Sequence, residues 1–170
     1  MPGYEDRAYC SYCKEKGLPN TIENEQHLWL ECAHNGQSQA WETTRSIWGK
    51  TTSRTWPNMT TDLIRGITAL SFIDDFTKDS ERLRILVSMT IWAIWKSRNK
   101  NTIQNQVVTP NETRETLKEL IRDIIRKSWN STRLMEGRER LTRQRAIKAL
   151  WAEGRFADFD PKTGPTVDLT

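Results

Sequence analysis

Three cysteines and one histidine near the start of the sequence have the types and the spacing of a metal site. Cys10, Cys13, His27 and Cys32 follow the pattern Cys-x2-Cys-x13-His-x4-Cys. A Cys-x2-Cys turn lets two thiolates converge on one ion, and a His and a Cys from a second segment complete the tetrahedron that zinc prefers. Because four protein ligands leave no open coordination position, the predicted cofactor is a structural Zn²⁺. Such an ion would contribute about 10–16 kcal/mol of apparent binding free energy to a segment with little apolar material.

The second half of this pattern, from Glu23 to Cys32, can also be interpreted as an ordinary helix. In that case the three thiols are simply buried and His27 is a histidine of the core. His27 and Cys32 are five residues apart, about 140° around an ideal helix. Both can therefore face one ion only if the helix ends or distorts before Cys32. His34 lies seven residues beyond His27 and would share its face, which makes it a spare candidate ligand.

The elements that must position these residues are predicted to be helices. Helical signals dominate after residue 23, and no stretch reads convincingly as a strand. We therefore predict a mainly α protein, in which a small Cys-Cys-His-Cys zinc module precedes a bundle of about five helices. The expected division is a zinc-binding module at 1–35, a helical bundle at 36–152 and a flexible tail at 153–170. Eight Trp offset a hydrophobic fraction of only 36% and indicate a folded chain.

Apolar spacing and capping residues indicate the first helices of the bundle. A helix around Trp48 is expected to stop at Gly49, and Thr60 or Thr61 is a plausible cap for a short helix after it. The central buried helix is predicted at 79–104, because its middle is apolar nearly all round. The tryptophans expected to pack in the core are Trp29, Trp41, Trp92, Trp95 and Trp129. The first two could stack on nucleobases if they were exposed.

The next helix has the clearest start signal in the sequence. Thr109 is a capping residue, Pro110 follows at the first helical position, and Glu112 lies three residues after the cap. One apolar stripe then runs along this helix through Leu117, Leu120, Ile121, Ile124, Ile125, Ser128 and Trp129. Gly137 is expected to separate it from a last helix at about 139–152.

The charge of the chain is distributed unevenly. The whole chain has a net charge of +4 and an isoelectric point of about 9.1. Residues 1–70 carry seven Lys/Arg against eight Asp/Glu, whereas residues 71–157 carry eighteen against eleven, a net charge of +7. A basic half beside a neutral one favours a polyanionic partner, most often nucleic acid. The alternative is a helical surface whose charges only keep it soluble.

Two groups of basic residues are candidates for contacts with phosphates. The first lies where the central helix leaves the core and the second on the last helix: Lys96, Arg98 and Lys100, then Arg138, Arg140, Arg143, Arg145 and Lys148. Such side chains contact phosphates without reading sequence. The second group does not fall on one clean stripe, which argues against a helix fitted to a groove.

No enzymatic centre is predicted. The stretch SFIDDF, with Asp74 and Asp75, mimics the paired carboxylates of a polymerase metal site, but that site needs a β-hairpin and a third distant carboxylate. These residues and Asp79 are better explained as a loop and a helix N-terminus, where negative charge is favourable. Both histidines of the chain lie in the metal pattern, so no separate His-based triad is available, and no Gly-rich phosphate loop occurs.

The sequence also bears on location and on other partners. The N-terminal stretch is charged and lacks the apolar core of a secretory signal, so we expect an intracellular protein, nuclear or cytoplasmic. The most apolar run, Ile85 to Trp95, is far too short to span a bilayer. No membrane partner and no small-molecule substrate are expected. An odd number of cysteines argues against a disulfide framework and favours metal binding or free thiols.

The motif CSYC…ENEQHLWLEC…AW resembles the zinc-binding segment that follows the reverse transcriptase, and often the RNase H domain, of non-LTR retrotransposons. In that family a Cys-x2-Cys precedes an ET-x-x-H-hydrophobic-hydrophobic-x-x-C run and a Trp. Here Glu23 to Cys32 and Trp41 occupy those places, with Asn24 where the family usually has Thr. A second stretch, ERLRILVSMTIWAIWKSRNKNTIQNQ, resembles the helix that comes next in these elements. The resemblance covers about Tyr9 to Trp151 and is closest to fungal versions.

This resemblance implies that Cys10, Cys13, His27 and Cys32 are metal ligands in a nucleic-acid-associated C-terminal module. In the family that module is thought to help the reverse transcriptase engage its template. The upstream polymerase and RNase H domains are missing here, so activities that need them are not expected of this chain. It could be a domesticated remnant, a short open reading frame or a fragment.

Two functions from different classes follow from these observations. The leading hypothesis is a retrotransposon-derived, non-catalytic zinc module that binds RNA or single-stranded DNA non-specifically through its basic helices. The alternative is a protein-interaction or self-association module without nucleic-acid binding, in which apolar stripes such as Leu117 to Trp129 continue a partner's bundle.

Overall fold

The computed structural model describes residues 8–67 and 77–169, and in this part of the chain the protein is mainly α-helical. Residues 8–35 contain a short α-helix and one π-helical turn, and five α-helices follow, which confirms the predicted fold class. The elements in order are α1 Ser11–Glu15, the π-helical turn His27–Glu31, α2 Gln37–Thr51, α3 Thr61–Arg65, α4 Thr77–Gln104, α5 Pro110–Ser131, α6 Gly137–Trp151, β1 Ala157–Asp160 and β2 Gly164–Val167.

Helix α4 is the central element, as predicted, and packs against α2, α5 and α6. The side of α4 that faces these helices is fully buried and carries Leu83, Leu86, Val87, Ala93 and Ile94. The prediction that Trp92 and Trp95 lie in the core is wrong, since they are 46% and 43% exposed. The physical reason is helical geometry: α4 is apolar nearly all round, but only one side of it is covered, and both indoles project from the other side.

Helix α5 begins as the sequence predicts. The Thr109 hydroxyl accepts a hydrogen bond from the Glu112 amide at 3.2 Å, and the Glu112 carboxylate accepts one from the Thr109 amide at 2.6 Å, with Pro110 at the first position. The apolar stripe faces inward, where Leu117, Ile121, Ile125 and Trp129 are at most 3% exposed. The stripe is therefore part of this chain's own core and is not left for a partner's bundle.

The ends of the other helices agree only in part with those predicted from the sequence. Thr60 caps α3, because its hydroxyl accepts a hydrogen bond from the Leu63 amide. Gly137 has a φ of +52° and begins α6. The expected stop at Gly49 is wrong, since α2 continues to Thr51, whose buried hydroxyl donates to the Ile47 carbonyl at 2.8 Å.

The C-terminal segment differs from the prediction in two ways. A flexible tail is predicted at 153–170 and no strand is expected anywhere, but residues 157–167 form a β-hairpin. Strands β1 and β2 pair antiparallel, with Ala157 opposite Val167 and Asp160 opposite Gly164. The Asp160 carboxylate accepts hydrogen bonds from two amides of the turn, each at 2.7 Å. Phe159 lies against Trp129 of α5, with ring centroids 5.0 Å apart. Burial of one face of the hairpin on α5 therefore explains its formation.

No helix in the described ranges combines the length and the apolar character that crossing a bilayer requires.

Candidate metal centre

The first two cysteines are positioned by a short antiparallel contact between the two arms of the N-terminal loop. The Cys10 amide donates to the Thr21 carbonyl, and the Glu23 amide donates to the Ala8 carbonyl, both at 2.8 Å. Between these arms, Cys10 occupies the position before α1, and Cys13 lies within that helix. The Cys-x2-Cys turn is thus formed by the start of a helix, which places both sulfurs on its inner side.

The other two candidate ligands are brought together by a local widening of the helix. The Asn24 side chain accepts a hydrogen bond from the His27 amide at 2.8 Å and so fixes the start of this turn. The Cys32 amide then donates to the His27 carbonyl at 2.7 Å, five residues back, as in a π-helix. Cys32 itself has left the helix, with an extended backbone. The expected distortion between His27 and Cys32 is therefore confirmed.

The four side chains converge on one point. Their ligand atoms all lie within 4.8 Å of one another. The sulfurs of Cys10 and Cys13 lie 3.7 and 3.9 Å from the sulfur of Cys32, and the Cys13 sulfur lies 3.5 Å from His27 Nε2. A tetrahedral zinc site with ordinary bond lengths separates two sulfurs by about 3.8 Å, and a sulfur from a nitrogen by about 3.5 Å. A disulfide would require about 2.05 Å. The geometry fits a shared metal ion and not a covalent bridge.

The four candidate ligands are buried, and the three thiols shift one another's pKa values. Each of the four residues is at most 8% exposed. The hydrogen bond with Cys32 lowers the pKa of Cys10 to about 4, helped by the Cys13 amide. The same bond raises the pKa of Cys32, and burial raises that of Cys13. The three thiols thus oppose one another's ionisation, and a divalent ion would supply the positive charge that favours all three thiolates.

The spare candidate His34 is not part of this cluster. The backbone amide of His34 opposes the rise in the pKa of Cys32, and the Cys13 amide helps to lower the pKa of Cys10. Amides directed at a sulfur favour its thiolate form, which lowers the cost of placing thiolates in a buried site.

Residues 8–35, which carry the four candidate ligands and are called the metal-binding segment below, are anchored to the end of α4 by polar contacts that the sequence did not reveal. The Tyr12 hydroxyl donates to the Ser97 carbonyl at 3.0 Å, and the Ser11 hydroxyl donates to Asn101 Oδ1 at 2.8 Å. Arg98 Nε donates to the Glu23 carboxylate at 2.7 Å. Each of these pairs joins residues far apart in the sequence and gives no periodic signal, so only the folded structure reveals it.

The two predicted basic groups differ in how freely their cations face the solvent. On α6, all five are exposed: Arg138, Arg140, Arg143, Arg145 and Lys148. On α4, Lys100 is exposed and Lys96 is half-buried, whereas Arg98 is held in the ion pair with Glu23. The charge of Arg98 thus stabilises the contact between the metal-binding segment and α4, and its predicted contact with a phosphate stays a prediction.

Of the three aspartates near the polymerase-like stretch, two lie outside the described residues, namely Asp74 and Asp75. Asp79 lies in the first turn of α4, as expected, and is 4% exposed. Its carboxylate pairs with Arg82 and with Arg54, the latter at 3.1 Å. Since Asp79 is neutralised by two guanidinium groups, it serves as a structural anion in the bundle.

Comparison of the chain with protein-family models, with curated proteins and with solved structures found no match in any of the three.

Proposed function

We propose that this protein is a non-catalytic, zinc-stabilised helical module that derives from a non-LTR retrotransposon and binds RNA or single-stranded DNA. Cys10, Cys13, His27 and Cys32 would hold a structural Zn²⁺, since three thiolates and one imidazole are ligands that zinc prefers. The ion would supply folding energy and no chemistry, because four protein ligands leave no open position. The proposed origin rests on the ligand spacing and on the helix that follows it.

The observation that carries nucleic-acid binding is the exposure of all five cations of α6. This helix has five Lys/Arg and a single acidic residue, Glu139. Only Ile147 and Trp151 of α6 are buried in the core, so most of its surface is open to a partner. Cations that spread around a helix, without one stripe, suit a flexible single strand better than the fixed geometry of a duplex groove.

A salt titration tests this proposal. Binding of a labelled 20-nucleotide oligo-dT or oligo-rU should weaken linearly on a plot of log affinity against log salt. If about five phosphates are contacted, the slope is about −3.5 for a single strand. Absence of binding at low salt would leave the protein-interaction alternative. That alternative is favoured by the exposure of Leu134 and Leu141, at 90% and 55%, beside the same helix.

Charge-neutral variants locate the contact. Arg138→Gln, Arg143→Gln and Arg145→Gln together should reduce the steepness of the slope by about 2, because three phosphate contacts are lost. The matched control removes the same charge from α5 through Arg122→Gln, Arg126→Gln and Lys127→Gln, and it should leave the slope nearly unchanged. Arg and Gln have similar helix propensities, so neither set should alter the fold. If the α6 and α5 variants reduced the salt slope equally, binding would depend on the net charge of the protein and not on α6.

A further inference from the structure

Two exposed tryptophans form a stacked pair on the outer side of α4. The rings of Trp92 and Trp95 are nearly parallel, at 15°, with centroids 4.7 Å apart. They are 46% and 43% exposed, although every other tryptophan whose burial the structure describes is half-buried or buried. A shallow groove of about 390 Å³ runs beside them and is lined by Trp29, Ile64 and Ile91, among others. Among the described residues, the two most exposed tryptophans therefore lie side by side.

The surroundings of this pair carry positive charge and amide groups. Lys96 follows Trp92 by one helical turn, and Asn99 follows Trp95 by one turn, so both lie on the same side of α4 as the indoles. The exposed Lys100 comes one turn after Lys96. A ligand that fits this surface combines flat apolar rings with anionic groups a few ångströms away. Unpaired nucleotides have both features, and their bases stack on aromatic side chains regardless of sequence.

We infer that Trp92 and Trp95 form a base-stacking platform for single-stranded nucleic acid, with Lys96 and Lys100 facing the neighbouring phosphates. This inference rests on the proposed function and adds to it a second contact of a different kind. The cations of α6 would provide affinity that depends on salt, whereas the platform would provide contact with the bases. A single strand is then preferred to a duplex, because a duplex buries the faces of its bases.

The test compares binding of labelled oligo-dT by the whole protein and by the variant Trp92→Ala/Trp95→Ala. Loss of one stacked base should weaken binding by roughly 5- to 150-fold, with the salt slope unchanged because no phosphate contact is removed. The variant Trp92→Phe/Trp95→Phe keeps two aromatic rings and should restore most of the affinity. A control, Ile103→Ala/Val107→Ala, removes exposed aliphatic surface near the same end of α4 and should have little effect.

Competition with an unlabelled duplex of equal phosphate number gives a readout that a structural role would not change. The wild type should prefer the single strand, and Trp92→Ala/Trp95→Ala should lose that preference. Acrylamide quenching should reach two fewer exposed indoles in Trp92→Phe/Trp95→Phe than in the wild type, which confirms that the pair is open in the free protein.

Three results would overturn the inference. The first is equal binding by the wild type and the folded alanine variant. This result would refute the stacking platform and would not affect the proposed contact of α6. The second is an unchanged quenching profile in the phenylalanine variant, which shows that the indoles are covered. The third is a wild-type dimer that becomes a monomer in the alanine variant with no change in affinity, which assigns the pair to self-association. No binding by the wild type at all is the separate failure of the proposed function.

Discussion

The metal-binding segment and the helical bundle hold their structures by different means. The buried apolar cluster of the segment consists of Cys10, Tyr12, Cys13 and Cys32, so three of its four members are candidate ligands. In the described part of the chain, the cluster shared by the bundle and the C-terminal hairpin contains twenty buried residues, among them Trp48, Leu86 and Ile121. Removal of apolar surface from water stabilises the bundle directly. The segment buries little such surface of its own, so the proposed ion would be its main source of stability.

This difference also explains why the two regions tolerate irregular backbone differently. The segment contains a π-helical turn and a left-handed glycine, Gly17, with a φ of +81°. Such local features lose hydrogen bonds or entropy that a continuous helix would keep. A metal ion can offset that cost because its bonds are strong and directional. Helices α4 and α5 need no such compensation, since each buries one continuous side.

Loss of the ion should therefore have the largest effect and should be confined to one region. The substitution Cys13→Ala removes a ligand that lies near both His27 and Cys32. We expect loss of bound zinc, by metal analysis, and loss of the greater part of the about 10–16 kcal/mol that a structural zinc site contributes. Hydrogen exchange should accelerate in residues 8–35 and remain slow in the core of α5.

The variant His34→Ala is the matched control, because His34 lies beside the cluster without joining it. It should retain one zinc per chain and the wild-type exchange pattern. A metal-free wild-type protein with a slowly exchanging segment would refute the zinc assignment. Uniform acceleration of exchange in α5 as well would show that the two regions are not independent in stability.

A cavity in the core of the bundle should have a smaller effect, and it should destabilise the bundle while leaving the metal bound. Leu117 is fully buried on the inner side of α5. We expect Leu117→Ala to reduce the free energy of unfolding by about 2–5 kcal/mol, measured by urea denaturation of the zinc-loaded protein. Metal content should stay at one ion per chain. Loss of zinc in this variant would mean that the metal site depends on the packing of α5.

The sequence predicted the regions whose structure depends on local or repetitive patterns. The capping box at Thr109 needs only two residues three positions apart, and the apolar stripe of α5 repeats over three turns, so the sequence alone shows both. The distortion before Cys32 could be predicted because the ligand spacing does not fit an ideal helix. The fold class followed from these signals taken together.

The errors concern features that depend on what packs against an element. A sequence that is apolar all round a helix does not show which side other helices will cover, and Trp92 and Trp95 fell on the open side. The C-terminal hairpin has only four residues in each strand, and it needs the neighbouring Trp129 to form. The ion pair of Arg98 with Glu23 joins residues 75 positions apart, so no local rule could reveal it.

The smallest of these effects concerns the contact between the two regions. The buried hydroxyl of Tyr12 donates to the Ser97 carbonyl in α4, and Tyr12→Phe removes this hydrogen bond while keeping the ring. We expect a loss of about 1 kcal/mol in the free energy of unfolding, the usual net value of such a bond. Zinc content and the exchange rates within α5 should not change. If the two regions are stabilised separately but held together by such contacts, exchange should accelerate at the end of α4, around Ser97 and Asn101, and nowhere else in the bundle. Faster exchange throughout α4 would show instead that the metal-binding segment supports the whole central helix.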